Sequence, residues 1–211
     1  MNLSEPLDGL TSPVEAAVLR VLSRADAGFS GRQIHALAGI GSTSSVHRAV
    51  NNLARVGLVT AESRPPAIIY RPNRQHVLWP VVELGLESRS RALDGIREFC
   101  LEEVPSEVPE EARMTLLLYG SVARRESDAE SDIDLLLVFP NYFDPEARAD
   151  FSYRLGEHVE RLTGNEAQIY SLERSEFEQR VTERDPFVAN VLTDGIHICG
   201  PALPGMRASA A

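Results

Sequence analysis

Two aspartates beside an apolar run are the residues of this sequence best placed to bind a metal ion. Asp132 and Asp134 flank Ile133, and on an extended strand both carboxylates point to the same side of the chain. Like charges that close repel each other, and a hard cation with oxygen ligands, such as Mg²⁺ with triphosphate oxygens, relieves the repulsion. The spacing therefore predicts a Mg²⁺ site at Asp132 and Asp134.

A glycine-serine turn, separated from the acids by ten residues, supplies the second part of the candidate site. The apolar run 114–119 ends at Gly120, which predicts a buried strand leading into a tight turn. Gly120 lets the backbone approach a phosphate group, and Ser121 is expected to begin a short helix whose free N–H groups favour an anion. The turn and the acid pair together predict binding of a nucleoside triphosphate, with ATP the expected one, and Mg²⁺.

The two stretches that contain these residues carry a family resemblance. The chain reads LYGSVARRE at 118–126 and SDIDLL at 131–136, and these stretches resemble the minimal nucleotidyltransferases of the DNA polymerase β superfamily, over residues 93 to 200. The resemblance implies that the two acids bind the metal and that the glycine-serine turn holds the phosphates, assisted by Arg124. It also implies transfer of a nucleoside monophosphate to a hydroxyl group, such as a tyrosine of a partner toxin. Arg125 stands where the family usually has glycine.

The third carboxylate of this family is missing from its expected position. Family members usually carry it on a later strand, where it helps to activate the attacking hydroxyl, whereas the strand predicted at 166–170 has Gln168 there. An amide cannot act as a base, but Glu166 lies on the same strand face and substitutes if the register is shifted by one pair. Two alternatives stay open: an enzyme with Asp132, Asp134 and Glu166 as catalytic residues, or a weakly active or inactive domain that senses a nucleotide or binds a protein.

Charge is distributed unevenly along the 211 residues, whose formal net charge is −10. Residues 1–75 contain eight arginines and five acids, a balance of +3, whereas the remainder has a balance of −13. The N-terminal part is therefore the expected partner of nucleic-acid phosphates. All 21 basic residues are arginines, so phosphate binding must rely on arginine, backbone amides and metal.

Cysteine usage and hydropathy indicate a cytoplasmic protein. Cys100 and Cys199 are far apart and form no Cys-x-x-Cys motif, and the N-terminus has no secretory segment. No apolar stretch is long enough to cross a membrane, so no membrane partner is expected.

Helix and strand signals in the N-terminal region predict a DNA-binding domain. Three helices are expected from capping boxes at 12–15 and 30–33 and from an apolar stripe that begins after Ser42. Strand-like runs at 58–61 and 67–70 predict a β-hairpin with a basic tip. Three helices followed by a hairpin wing resemble the winged helix-turn-helix domains of bacterial transcription regulators.

The third predicted helix has a polar face suited to DNA. Arg48 is expected to contact guanine and either Asn51 or Asn52 adenine, because these side chains form bidentate hydrogen bonds with those bases. Arg64, at the hairpin tip, is expected to contact a phosphate or the minor groove. A solvated polar face on a helical adaptor is the alternative interpretation. The predicted DNA contacts are Ser44, Arg48, Asn51, Asn52, Arg55 and Arg64.

The predicted fold class is α+β, in four segments. A winged helix-turn-helix domain (1–74) precedes a helical linker and connector (75–110), a small α/β nucleotidyltransferase domain with a mixed sheet (111–200) and a tail (201–211). The apolar stripe of the linker, as one long helix or two shorter ones, either pairs with a second copy in a homodimer or packs against the sheet, which is the preferred prediction. The expected partners are DNA, a nucleotide and a protein acceptor or toxin. A small-molecule acceptor has no specific support in the sequence.

Overall fold

The computed structural model describes residues 1–103, 108, 109 and 112–206, which divide into two units. The N-terminal unit is Glu5–Ser88, and the C-terminal unit joins Met1–Ser4 to the residues from Arg89 onward. The boundary between the two units thus lies between Ser88 and Arg89, inside a helix. From the sequence, segment boundaries were expected after residues 74 and 110. Parts of the predicted connector and tail, namely 104–107, 110, 111 and 207–211, lie outside the described residues.

The N-terminal unit combines three helices with a small antiparallel sheet. Its elements are a 3₁₀ turn (Pro6–Gly9), α1 (Pro13–Ser23), β1 (Phe29–Ser30), α2 (Gly31–Ala38), α3 (Thr43–Arg55), β2 (Val59–Arg64), β3 (Ala67–Pro72) and the start of α4 (Trp79–Glu102). The strand order is β1-β3-β2, so β2 and β3 form the expected hairpin.

Local sequence signals explain where these helices lie. Ser12 caps α1 through a backbone N–H, and Ser30 forms a reciprocal capping box at the start of α2. Val46, Val50 and Leu53 of α3 are buried in the core of the unit. The apolar stripe of α3 therefore faces the core and leaves its polar face exposed.

The C-terminal unit is a four-stranded sheet with helices on both faces. Its elements after α4 are β4 (Thr115–Tyr119), α5 (Gly120–Arg124), β5 (Ile133–Phe139), α6 (Pro145–Thr163), β6 (Ala167–Glu173), α7 (Arg174–Thr182), α8 (Pro186–Asp194) and β7 (Ile196–Cys199). The strand order is β6-β5-β4-β7, with β5 and β6 parallel and the other neighbours antiparallel. The predicted mixed sheet is therefore present.

The central strand β5 is buried on both faces, which explains its continuous apolar sequence. Leu135 and Leu137 pack into a core shared with α4 and α6, while Leu136 and Val138 pack into a second core with α7 and α8. Because side chains alternate along a strand, Asp134 lies on the face of the sheet that α7 and α8 cover.

Helix α4 contributes to both cores in turn. Trp79 and Val82 are buried in the N-terminal unit, whereas Ile96 and Cys100 are buried in the C-terminal unit against the sheet. The linker is thus one long helix. Its second half packs against the sheet, which was the preferred of the two predictions. No helix in the described part of the chain combines the length and apolar character that a bilayer span requires.

Residues 201–206 do not form the loose tail that the sequence suggested. Thr115 Oγ1 donates a hydrogen bond to the carbonyl of Pro201 at 2.7 Å. Leu203 is 3% exposed and packs into the core between the sheet, α7 and α8. The buried leucine and this hydrogen bond both favour an ordered segment against the unit.

Candidate active site and nucleic-acid interface

Two adjacent strands bring the glycine turn and the acid pair together. β4 ends at Tyr119, directly before the turn, and Tyr119 pairs with Asp134 near the start of β5. The antiparallel pairing thus places the end of one strand next to the beginning of the other. Gly120 and Asp134, fourteen positions apart in the sequence, become neighbours as predicted.

Gly120 is required for two independent reasons. Its φ of +72° lies in the left-handed region, which residues with a Cβ rarely adopt. A Cβ at this position would also overlap the carboxylate of Asp134, which therefore lies directly against the backbone of the turn. The turn and the Asp134 carboxylate form one packed arrangement, in which glycine avoids both the unfavourable φ and the overlap.

The loop between the turn and the acids is held by its own hydrogen bonds. Asp128 Oδ1 accepts bonds from the backbone N–H of Glu130 at 3.0 Å and from the hydroxyl of Ser131 at 2.8 Å. Asn165, which is 5% exposed, donates to the carbonyl of Ser131 at 2.8 Å. Arg125, which replaces the usual glycine, has a φ of +61° and thus keeps the left-handed conformation that glycine favours. Asn165 is a supporting residue that no motif in the sequence indicated.

Burial and charge both act on Asp134. Partial burial raises the pKa of its carboxyl above the ordinary aspartate value, the nearby charge of Asp132 raises the pKa further, and Arg124 opposes the shift. The Nε of Arg124 donates to Glu126 at 2.9 Å, and the charges of Asp194 and Asp134 also act on this arginine. The acid pair therefore carries a charge repulsion that a bound cation would relieve.

The Asp134→Asn substitution is expected to stabilise the free protein at neutral pH. The pKa of Asp134 is higher in the folded than in the unfolded state, so the free energy of unfolding falls as pH rises from the unfolded to the folded pKa. Asparagine does not ionise and therefore avoids this fall. The melting temperature should rise by about 2 °C at pH 7, and the difference should vanish below the unfolded pKa. Thermal melts across pH measure this. The Asp128→Asn control should be destabilising, since hydrogen bonds lower the pKa of Asp128; a destabilised Asp134→Asn would contradict the account.

Gln168 lies beside the acids in place of a third carboxylate. The parallel register pairs Asp134 with Gln168, and the Gln168 amide donates a hydrogen bond to Asp132 Oδ2 at 2.5 Å. The backbone carbonyl of Glu166 instead accepts a bond from Ile133, and the Glu166 residue lines a depression along α6. The shifted register that would bring Glu166 to the pair is therefore not observed.

The acid pair fits a hard divalent cation. Two carboxylates on one strand face supply oxygen ligands of the kind that Mg²⁺ prefers. Within the described ranges, no group of three or more His, Cys, Asp or Glu side chains is arranged to hold a metal ion. A cation held by Asp132 and Asp134 would thus take its other ligands from phosphate oxygens and water.

An aromatic pocket of about 390 Å³ lies next to the acids on the same face of the sheet. Phe187 packs edge-on against Tyr119 and Tyr170, with ring centroids 5.3 Å apart in both pairs, and the Arg180 guanidinium lies 5.8 Å from the Tyr170 ring. The sequence analysis did not predict this pocket. Alternation of side chains along a strand places Tyr170 on the same face as Gln168 and would have indicated an aromatic side chain near the acids. Its lining residues are Tyr119, Gln168, Ile169, Tyr170, Arg180 and Phe187.

The predicted DNA contacts are all exposed, but they differ in what holds them. Arg48 and Arg55 on α3 form no ion pair within the described residues, and the hydroxyl of Ser44, one turn before Arg48, lies 2.9 Å from that of Ser42. Asn51 accepts a weak bond from the hydroxyl of Tyr70 at 3.5 Å, whereas Asn52 reaches Glu15 on α1 at 3.5 Å. Asn51 therefore faces the hairpin side of α3 and Asn52 faces α1.

At the hairpin, Arg64 is paired with an acid of the same strand. Its Nε lies 2.8 Å from Glu62, which also binds Arg71 at 2.6 Å. The positive charge of the tip is therefore partly neutralised, and Arg64 must leave Glu62 to contact a phosphate.

One comparison with known protein families concerns the C-terminal unit. Residues 93–195 match the family model described as a nucleotidyltransferase domain. The match includes the turn, both acids and Gln168. Residues 93–195 are therefore similar to nucleotidyltransferase domains, and nucleotidyl transfer is the chemistry of that class. Searches of the curated proteins and of the solved structures gave no match.

Proposed function

We propose that the C-terminal unit transfers a nucleoside monophosphate from a nucleoside triphosphate, with ATP the expected donor, to a hydroxyl acceptor. The observation that carries this proposal is the contact between the Asp134 carboxylate and the backbone of Gly120, with Asp132 two residues away. This contact joins the acids to the turn that would hold phosphates. The proposed site residues are Asp132 and Asp134 for Mg²⁺ and Gly120, Ser121 and Arg124 for the nucleotide.

Each residue has a distinct part in the proposed reaction. Asp132 and Asp134 hold the cation, which supplies neutralising charge to the triphosphate. Backbone N–H groups of the Gly120 turn orient phosphate oxygens, and Arg124 adds positive charge at the exposed edge. The acceptor oxygen bonds to the α-phosphorus, pyrophosphate leaves, and the acceptor proton passes to solvent, because the Gln168 amide is too weak a base to take it.

The acceptor in this proposal is a hydroxyl of a partner protein, such as a toxin. Two labelled forms of ATP test the transfer in a cell extract supplied with Mg²⁺ and the full chain. Label in the α-phosphate should appear on the acceptor, whereas label in the γ-phosphate should leave with pyrophosphate. Labelling of the acceptor by the γ-labelled form alone would indicate phosphate transfer instead and would refute the proposal.

A second candidate function is that of a nucleotide sensor with little or no transferase activity. The hydrogen bond from Gln168 to Asp132 favours it, because that amide occupies the place of the acid that would activate the acceptor. In this alternative, the unit binds a nucleotide or a protein, and binding alters the affinity of the N-terminal unit for DNA.

The Gln168→Glu substitution distinguishes the two candidates. The side chains have equal length, so the change adds a third carboxylate beside Asp132 and removes a hydrogen bond. Without metal the variant should melt below the wild type, because three like charges repel; with Mg²⁺ it should gain more stability than the wild type does. Its transfer rate should rise by about tenfold or more if the missing acid limits catalysis. The Gln168→Ala control removes the hydrogen bond without adding charge, and equal rates in both variants would favour the sensor.

We further propose that the N-terminal unit is a winged helix-turn-helix domain that binds DNA in the cytoplasm and regulates transcription. The exposed polar face of α3 supports this proposal, as does the +3 balance of residues 1–75. Ser44, Arg48, Asn51 and Arg55 are its proposed contacts on α3, and Arg64 is the contact on the hairpin. Asn52 is the weakest candidate, because its amide is directed to Glu15.

Arg48 and Arg55 on α3 form no ion pair within the described part of the chain, and their removal should weaken DNA binding. The Arg48→Ala/Arg55→Ala variant is expected to lose about 10- to 100-fold in affinity for the promoter of its own gene, with the salt slope reduced by about 2. Fluorescence anisotropy at several salt concentrations measures both quantities. Arg24→Ala, an exposed arginine of the same unit beside α1, is the matched control and should bind like the wild type. Full affinity in the double variant would contradict DNA binding through α3.

A further inference from the structure

An exposed apolar stripe runs along the beginning of α4. Val77 and Leu78, in the turn before the helix, are 84% and 50% exposed, and Val81 and Leu84 are 48% and 47% exposed. On α4, Val81 and Leu84 are three residues apart and share one side of the helix, and the N–H of Val81 donates to the carbonyl of Leu78 at 3.1 Å, so the turn before the helix leads directly into this side. The stripe therefore presents apolar side chains to solvent along about two turns.

The opposite side of the same helix segment is apolar and already covered. Trp79, Val82 and Leu86 pack into the core of the N-terminal unit. A helix that is apolar on two sides normally has a second partner, because one packed side satisfies only one stripe. The fold of the N-terminal unit thus uses one side and leaves the other uncovered.

The stripe is large enough for a specific interface. Leu10, 70% exposed, widens it, because its Cδ1 lies 3.8 Å from the position of a Cβ at Gly85. The exposed parts of these five apolar residues, backbone included, amount to roughly 500 Å², within the range of the largest apolar patch on a typical monomer. Two copies meeting through this surface would bury about 1,000 Å², which reaches the lower limit for a specific protein interface.

We infer that this stripe pairs two copies of the chain into a homodimer. A two-fold axis brings a patch against its own copy, and a patch of apolar side chains is complementary to itself. The unit that carries the stripe, Glu5–Ser88, contains eight arginines and seven acids, a balance of +1, so like-charge repulsion between two such units is weak.

The dimer also fits the proposed DNA binding, and to that extent it rests on the proposed function. The stripe belongs to the same unit as α3. Pairing two such units gives two copies of α3 related by a two-fold axis, the arrangement that reads palindromic DNA. Each copy of α3 then contributes half of the recognised site.

Charge introduced into the stripe tests the inference on the full-length protein. Light scattering after size exclusion should give twice the chain mass for the wild type at micromolar concentration and the single-chain mass for Val81→Glu/Leu84→Glu. Self-association should weaken by about 100-fold, since burying uncompensated charge at the centre of an interface is strongly unfavourable. Val77→Glu, outside the helix and 84% exposed, provides a second variant whose folding is not at risk. Leu101→Glu, 46% exposed near the end of α4, is the matched control and should stay dimeric.

The outcomes separate this inference from the proposed function. A monomeric wild type, or dimers that persist in both the double variant and Val77→Glu, overturn the dimer surface. DNA binding by a monomeric wild type would leave the proposed function intact, whereas a dimer that binds no DNA would leave the interface intact. A wild type that is monomeric alone and associates only with another protein also overturns the inference.

Discussion

Transfer of a nucleoside monophosphate should fall by at least about 10³-fold in the Asp134→Ala variant, because a lost metal ligand removes several kcal/mol of charge stabilisation. Three features point to Asp134 as the essential ligand: its carboxylate contacts the Gly120 backbone, its pKa is raised, and it lies two residues from Asp132. The initial rate of acceptor labelling from α-labelled ATP measures the effect.

Glu130→Ala is the matched control for this prediction. Glu130 is an exposed carboxylate two residues before Asp132, and within the described residues its side chain forms no hydrogen bond or ion pair. The substitution removes one negative charge four residues before Asp134 and should leave transfer unchanged. Comparable losses in both variants would mean that general charge, rather than a metal site at Asp134, determines the rate.

The second large effect is expected from a single methyl group at Gly120. Gly120→Ala should destabilise the unit by about 2 kcal/mol, part from the left-handed φ and part from the overlap with Asp134. Because the end of an aspartate side chain can rotate away, the collision should displace the carboxylate more readily than it unfolds the chain. Transfer should therefore fall by about 10³-fold, as in Asp134→Ala. Urea denaturation and the labelling rate measure the two effects.

Gly164→Ala separates the backbone contribution from the collision. Gly164, at the end of α6, has nearly the same φ of +73°, but a Cβ there would meet nothing within 4 Å. Its alanine variant should lose about 1 kcal/mol of stability and keep its activity. In addition, Gly120→Ala should be less destabilising in an Asp134→Ala background, because the overlapping group is gone. Independent, additive effects of the two changes would show that the Gly120–Asp134 contact is absent.

Much of the local structure was predictable because the signals are local. Side-chain caps at Ser12 and Ser30 and the apolar stripe of α3 are each contained within a few residues, and the structure confirms the elements they predicted. The acid pair could also be placed, since strand alternation and the turn at Gly120 act over short distances.

The remaining features depend on long-range contacts that no local pattern contains. The Gln168–Asp132 hydrogen bond follows from the register of two parallel strands, and a shift of that register was equally compatible with the sequence. The aromatic pocket joins strands to α7 and α8 across the sheet. The unit boundary at Ser88 lies inside the continuous helix α4, so no break in periodicity marks it.

Calorimetric titration of the full chain with a non-hydrolysable ATP analogue is the most direct test of the central claim, that Asp132 and Asp134 hold a divalent cation and its nucleotide beside the Gly120 turn. The titration is made with Mg²⁺ and with a chelator, for the wild type and for Asp132→Asn/Asp134→Asn. The account predicts binding to the wild type only with Mg²⁺, and none to the variant, even if the unit proves to be a sensor. Binding that is equally tight without metal, or in the variant, would contradict it.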